Sequence, residues 1–375
     1  MVRFGRSRRR RQNAGALLLI VIVVAAVLVA TSHQTPSAPA GQPASHSPSP
    51  RPKKAKKAKK HTQKRAAQTS RPAGSASVLS LVVEPDAGPT PVYALLRAAR
   101  RSVDVEIYEL EDDQATAILA ADARRGVRVR VLLDAHFVGH YNQPAYSFLR
   151  ARGVAVHWAP AQFDVTHEKA IVVDRRIAAI MTMNLTPRYY SSSREFIAFD
   201  RERADVAAVE ATFAYDWADG ALPPSSPSDL VWSPGAQDAL VALIASARHE
   251  LLIENEEMND PTVTGALQAA ARHGVRVEVV MTRQSEWAGA FDALVRAGVV
   301  VRTYSYSAPL YIHAKAIVVD PGSPHGRVFV GSQNFSVASL LYNRELGLIT
   351  SRRAIVSRVA AVIRSDAAGA TPWRP

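Results

Sequence analysis

His167 and Lys169 stand two positions apart in His167-Glu168-Lys169-Ala170-Ile171-Val172-Val173-Asp174. The arrangement returns 146 positions later as His313-Ala314-Lys315-Ala316-Ile317-Val318-Val319-Asp320. In an extended strand residues two apart share a face, so each imidazole projects beside an ammonium. The Ala-Ile-Val-Val run behind them is β-prone and anchors the strand in a core. An imidazole beside a fixed cation, presented twice, suits chemistry on a phosphate ester. One histidine attacks phosphorus, the other protonates the leaving oxygen, and the lysines hold the non-bridging oxygens.

Composition argues against coincidence. From Val78 to Pro375 the chain has 8 His, 18 Asp and only 2 Lys, and those two are Lys169 and Lys315. At those frequencies H-x-K-x-x-x-x-D arises by chance about 0.003 times. The same stretch carries 28 Arg. A compact ammonium is therefore kept only where a point charge on phosphate differs from a planar fork.

The elements that position these residues follow from the rest of the chain. The formal charge of +13 suggests nucleic acid, but residues 1–77 hold 16 Lys+Arg and no acid, leaving 30 basic against 33 acidic residues beyond them. A body of net −3 lacks the cationic face that phosphate-backbone binding requires. The chain has no cysteine, which excludes disulfides and Cys-based metal sites. Residues 1–13 form an Arg-rich tail, and 14–31 a membrane anchor or signal peptide built on 17 uncharged residues, Ala14–Ala30. Helical, those residues span about 25 Å. Positive charge keeps the Arg cluster cytoplasmic and sends the body outside. Leu28-Val29-Ala30 is a poor cleavage site, so a single-pass anchor in the cell membrane is favoured over secretion. Residues 32–77, rich in Pro, Ser and Lys, read as a disordered linker, either a solvated spacer or an adhesive for anionic lipid or wall polymer.

From Val78 the text repeats, as 78–222 and 223–375. Val83-Glu84-Pro85 and Trp232-Ser233-Pro234 open the copies. Each continues with a helix (Val92–Arg101; Ala239–Arg248), a strand (Val103–Tyr108; Leu251–Asn255), an Ala-rich helix and a turn-strand (Gly126–Asp134; Gly274–Thr282). A third helix follows (Ala145–Arg152; Ala288–Ala297), then a short strand and the H-x-K strand. Alternating strands and helices predict an α/β fold with sheets covered on both faces. The Pro/Ser stretch 222–228 is the expected joint.

Two such motifs in a duplicated α/β chain resemble the phospholipase D superfamily, whose pattern continues with G-S-x-N and an acidic residue. Copy two has Gly331-Ser332-Gln333-Asn334 and Glu345; copy one has Met181-Thr182-Met183-Asn184 and Glu195. His-to-Asn spacing is 17 and 21 and His-to-Glu spacing 28 and 32, so one four-residue insertion in 321–327 accounts for both. Met181 for Gly and Thr182 for Ser are departures in copy one. The resemblance implies two pseudo-symmetric repeats forming one site within a monomer. It implies a catalytic set of His167, Lys169, Asp174, Glu195, His313, Lys315, Asp320 and Glu345. His167 is the expected nucleophile and His313 the acid, although near symmetry leaves the reverse open. Lys169, Lys315, Asn184 and Asn334 should clamp phosphate oxygens with help from Thr182 and Ser332, and the two glutamates should accept hydrogen bonds from the histidines. Asp174 and Asp320, seven residues from each His, fall on the opposite strand face and read as structural. No metal or cofactor is expected.

Weaker candidates are His136 and His140, as metal ligands or, more simply, loop residues. Tyr304, Tyr306, Tyr311 and Phe163 could form a lipid-facing rim or ordinary packing. Glu254, Glu256 and Glu257, matched by Glu106 and Glu109 148 positions earlier, read as a solvated acidic spot or a cationic head-group site. Export, an anchor and a mildly acidic body favour a phospholipid substrate at the membrane surface over nucleic acid. The expected activity is phospholipid hydrolysis or transphosphatidylation through a phospho-histidine. Cardiolipin synthase-like transfer and secreted nuclease activity are the alternatives.

Overall fold

The computed structural model describes residues 77–220 and 229–375. The tail, the apolar segment, nearly all of the linker and the joint read from the sequence lie outside them. Among the described residues no helix is long and apolar enough to cross a membrane.

Two copies of one plan follow each other. The first runs β1 (Leu79–Glu84), α1 (Thr90–Arg97), β2 (Ser102–Ile107), α2 (Asp113–Arg124), β3 (Arg128–Leu133), α3 (Gly139–Arg150) and β4 (Ala155–Trp158). It ends with β5 (Lys169–Val173), β6 (Ile177–Met181), β7 (Ser193–Asp200) and α4 (Arg203–Trp217). The second runs β8 (Leu230–Ser233), α5 (Ala236–Ala245), β9 (Glu250–Glu254), α6 (Pro261–Arg272), β10 (Arg276–Thr282), α7 (Ala288–Arg296) and β11 (Val300–Tyr304). It continues with β12 (Tyr311–Ile312), β13 (Ala316–Val319), β14 (Arg327–Gly331), α8 (Val337–Leu341), β15 (Glu345–Thr350), α9 (Arg353–Gly369) and β16 (Thr371–Pro372). The expected α/β repeats are present.

Sheet one has the order β1-β7-β6-β5-β2-β3-β4 and sheet two β16-β11-β10-β9-β13-β14-β15-β8. Helix-connected strands pair in parallel and the H-x-K hairpins β5–β6 and β13–β14 antiparallel, as crossover and hairpin connections require. One face of sheet one packs α1–α3 around Val105, Val131 and Ile171. Sheet two does the same with α5–α7 around Ile253, Val279 and Ile317. The other two faces meet in a central core of Val172, Ile180, Val318 and Val330, sealed by Val209 of α4 and Val359 of α9.

Asp174 and Asp320 explain why α1 and α5 stop three or four residues earlier than apolar periodicity predicts. Asp174 accepts the backbone N–H groups of Arg100 (3.0 Å), Arg101 (2.7 Å) and Ser102 (3.0 Å). Asp320 does the same for Arg248 (2.9 Å), His249 (2.8 Å) and Glu250 (2.9 Å). Both occupy left-handed backbone, φ 54° and 44°, which Asp tolerates better than most side chains. They hold the turn into the neighbouring strand, at the end of β5 or β13 away from the histidine. Their place in the expected catalytic set is corrected accordingly, and the structural reading from strand alternation stands.

Candidate active site

The histidines sit just before their strands, not within them: β5 begins at Lys169 and β13 at Ala316. The residues leading into each histidine pair with the other repeat. His167 N donates to Arg344 O and Arg344 N to Val165 O, both at 2.9 Å. In the second copy, Tyr311 and Ile312 of β12 run parallel to Ser193 and Arg194 of β7. Each histidine is thereby set beside the glutamate of the opposite half. His167 Nδ1 lies 2.9 Å from Glu345 Oε2, and His313 Nδ1 2.6 Å from Glu195 Oε1. One site is built across the two repeats of one chain.

The lysines fold back beside the histidines, with Lys169 Nζ donating to His167 O (2.5 Å) and Lys315 Nζ to His313 O (2.6 Å). Both are almost wholly buried, at a depth that lysine rarely occupies without an anionic partner. Asn334 Nδ2 donates to Glu257 Oε1 at 2.9 Å, and the carbonyl oxygens of Asn334 and of the half-buried Asn184 are both without a hydrogen-bond partner. The Thr182 and Ser332 hydroxyls are buried and spent on partners within the fold. Thr182 Oγ1 donates to Glu195 Oε2 and accepts from Phe196 N, while Ser332 Oγ bonds Leu346 N and O. Ser339, unmarked in the sequence reading, donates to Glu345 Oε1 at 2.6 Å. The Met181 departure is a packing exchange. Gly331 faces Gly347 across β14 and β15 beside Gln333, where a Cβ would come within 2.5 Å of either. Copy one fills the equivalent space with Met181, Met183 and Ile197 in its apolar core.

The sequence profile of the family described as "Cardiolipin synthase, PLD-like domain" matches residues 92–217 and 240–367, one match per copy and more than half of the chain. The chain belongs to the phospholipase D superfamily. Its curated relatives include the cardiolipin synthase of Halalkalibacterium halodurans, 28% identical over 129 residues, which are 33% of this chain and 25% of that protein. The match thus spans only a quarter of that relative's length. Similar solved structures include phosphatidylserine synthase from Haemophilus influenzae, with a TM-score of 0.62 and 14% identity over 80% of this chain and 88% of that one. Polyphosphate kinase from Porphyromonas gingivalis has a TM-score of 0.60 and 15% identity over 77% of this chain and 50% of that one. At such identities they show the shared fold.

Within this phospholipase D frame, burial sets the protonation states. Burial lowers the His167 pKa, and the Lys169 and Lys315 charges add to it against support from Glu345. Burial, together with Lys315, brings Lys169 down to about 7 despite nearby carboxylates. Glu345 is pushed up by burial, but His167 and Lys169 more than reverse this and hold it low.

The sequence reading missed a buried lock. Arg344 Nη2 and Nε each lie 2.8 Å from the carboxylate of Asp216 on α4, and Arg194 pairs with Asp366 on α9, its Nη2 at 2.9 Å. Each pair joins one repeat to the other's terminal helix. The signal was legible, because within each copy the Asp follows the Arg by 22 residues (Arg194 to Asp216, Arg344 to Asp366) and the Arg immediately precedes the site glutamate. Other expectations are corrected. Glu106 and Glu254 are interior side chains whose burial raises their pKa far above the usual carboxylate range. Glu256 and Glu257 line the site, so the solvated-spot reading fails for all of them. Glu109 pairs with Arg188. Phe163 lies buried under the Arg344 guanidinium (4.1 Å), and Tyr304 OH bonds Asp366 O, so neither is a rim residue. Tyr311 reaches into the site and Tyr306 is exposed beside it. His136 is an exposed loop residue and His140 packs on Tyr141. Among the described residues no three His, Cys, Asp or Glu side chains come together as metal ligands.

Proposed function

We propose that the protein transfers phosphatidyl groups between alcohols by a two-step, phospho-histidine route, with water as a competing acceptor. The observation that carries this is the pair of His–Glu couples, each made across the repeats, around two buried lysines. The similarity to cardiolipin synthases supports transfer over simple hydrolysis.

His167 Nε2 attacks phosphorus while Glu345 holds Nδ1–H, so the lone pair faces the substrate. The P–N bond forms and the P–O bond to the leaving alcohol breaks. His313, cationic at that moment and paired with Glu195, gives its Nε2 proton to the departing oxygen. The neutral His313 then takes the proton of the acceptor hydroxyl, whose oxygen attacks phosphorus, and the P–N bond breaks to return neutral His167. Lys169, Lys315 and Asn184 carry the non-bridging oxygens through both steps. No carboxylate lies within ion-pair distance of His167 Nε2 among the described residues, whereas Glu256 Oε2 stands 3.4 Å from His313 Nε2. That difference supports His167 as nucleophile. The apolar segment 14–31 would hold the body at a bilayer, where such substrates lie.

The pH profile follows from these groups. Attack needs neutral His167, whose pKa lies below its ordinary 6.5, so the acid limb of kcat/KM is expected below pH 6.5. The clamp needs charged Lys169, which loses its proton through pH 7 in the free enzyme. The alkaline limb of kcat/KM should therefore fall near pH 7, and that of kcat higher, because bound phosphate retains the proton. An alkaline limb of kcat/KM above about pH 9 would contradict this assignment.

The deciding assay incubates the full-length protein with mixed phospholipid vesicles, with and without glycerol, and separately with single- and double-stranded DNA and RNA. His167→Ala and His313→Ala serve as controls. A new phosphatidyl-alcohol, formed by the wild type and by neither variant, is the expected result. Phosphatidic acid alone, even with glycerol, would make it a hydrolase. Cut nucleic acid with untouched lipid would overturn the lipid reading.

A further inference from the structure

One half of the phosphate clamp is already held by the protein's own carboxylate. Glu256, two residues beyond β9, places Oε2 3.0 Å from Lys315 Nζ, 3.4 Å from His313 Nε2 and 3.5 Å from Asn334 Nδ2. Its Oε1 accepts from Tyr311 OH at 3.0 Å, so the side chain is tethered from both sides. Glu257 takes Asn334 Nδ2 at 2.9 Å. The three donors that Glu256 Oε2 touches are those a phosphate oxygen would use in that half. In the other half the equivalent position, 148 residues earlier, is Tyr108. That neutral ring stands edge-on to His167 at 4.7 Å and 5.0 Å from Lys169 Nζ. The site therefore has an aromatic half and an acidic half.

We propose that Glu256 is a charge-selecting residue: it admits a phosphodiester, with one negative charge, and excludes doubly charged phosphate monoesters. This rests on the proposed handling of phosphodiesters by the same site. A diester presents two non-bridging oxygens that share one negative charge and two neutral ester oxygens, so one of the latter can face the carboxylate. A monoester carries nearly two charges at neutral pH and has a single ester oxygen to turn toward Glu256, so its extra negative charge lies within a few ångströms of the carboxylate. Burial pushes the Glu256 pKa up, but His313, Lys315 and His167 together reverse this and keep it well below the ordinary value, so the negative charge persists. The leaving alcohol, once protonated, can donate to the same carboxylate. Phosphatidate, the monoester product of any hydrolytic turnover, is rejected. The site so built favours lipids still carrying an alcohol on both sides of phosphorus.

Binding of phenyl phosphate and of diphenyl phosphate to the full-length protein, measured by calorimetry at pH 7.5, tests this without any lipid. The wild type is expected to prefer the diester by about tenfold or more, given one extra charge a few ångströms from a carboxylate. Glu256→Gln, which keeps shape and loses charge, should tighten phenyl phosphate by about tenfold while changing diphenyl phosphate by less than about threefold. Glu256→Asp should keep the wild-type preference and serves if the amide variant melts early. Equal tightening of both ligands would make Glu256 a plain plug and overturn the proposal. So would an unchanged ratio, or failure of the wild type to bind either ligand. Lipid left unturned beside a charge-dependent ratio would fault the lipid assignment alone.

Discussion

Mixed with excess bis(p-nitrophenyl) phosphate, the His313→Ala protein is expected to release one equivalent of p-nitrophenolate and then stall, while His167→Ala releases none. The difference follows from leaving-group chemistry. p-Nitrophenolate departs without a proton, so the first step survives loss of the general acid. The second step needs a base to activate water, and in that variant His313 is missing. Loss of His167 removes the atom that bonds to phosphorus. Steady-state turnover should drop about 10⁴-fold or more in both variants, since both act in one cycle. The open Nε2 of His167 and the occupied Nε2 of His313 set this order. A burst from His167→Ala and none from His313→Ala would reverse the two roles. Rapid-quench measurement of p-nitrophenolate against active-site concentration decides it.

The second large effect concerns Arg344 and Asp216, whose side chains are both 0% exposed. Arg344→Met is expected to destabilise the fold by about 3–5 kcal/mol, because it leaves the Asp216 carboxylate buried without its counter-charge. Glu106 and Glu168 feel the same guanidinium, and burial already raises the pKa of both, that of Glu168 to about 8. Losing the cation makes any negative charge there costlier still. Converting both partners, Arg344→Met with Asp216→Leu, should recover most of the loss, since a packed apolar pair needs no desolvation of charge. Urea unfolding of the two single variants and the double variant supplies the cycle. A double variant as unstable as Arg344→Met would mean that the arginine acts through packing on Phe163 and Trp232 alone.

What the sequence made legible was chemistry at short range. H-x-K spacing put imidazole and ammonium together, and the shared four-residue offset registered Asn334 and Glu345 on Asn184 and Glu195. Strand alternation correctly turned Asp174 away from the site. What it hid depends on the fold as a whole. On propensity the strand runs through His167, yet Val165 O and His167 N spend their hydrogen bonds on Arg344 of the other repeat. The hydroxyls of Thr182 and Ser332 are of the right type but point inward, a fact of packing that residue identity does not carry. Glu254 and Glu256 share a face by alternation only while the strand lasts; β9 ends at Glu254, and the two carboxylates part. The 22-residue Arg-to-Asp interval was in the sequence all along and is meaningful only once α4 and α9 are seen to cross the interface.

The exchange of glutamates between halves also bears on how the two copies came to differ. Two separate but identical chains around the same axis would feel every substitution twice, at both histidines at once, because such an interface presents the same patch from each partner. A tyrosine could not become a glutamate on one side only. Joined in one polypeptide, the halves are free to specialise, as Tyr108 and Glu256 have, yet neither can drift alone. The residue that tunes each imidazole is inherited with the other copy. Mutual dependence of catalytic parts and independence of substrate-facing parts are both written into one duplication.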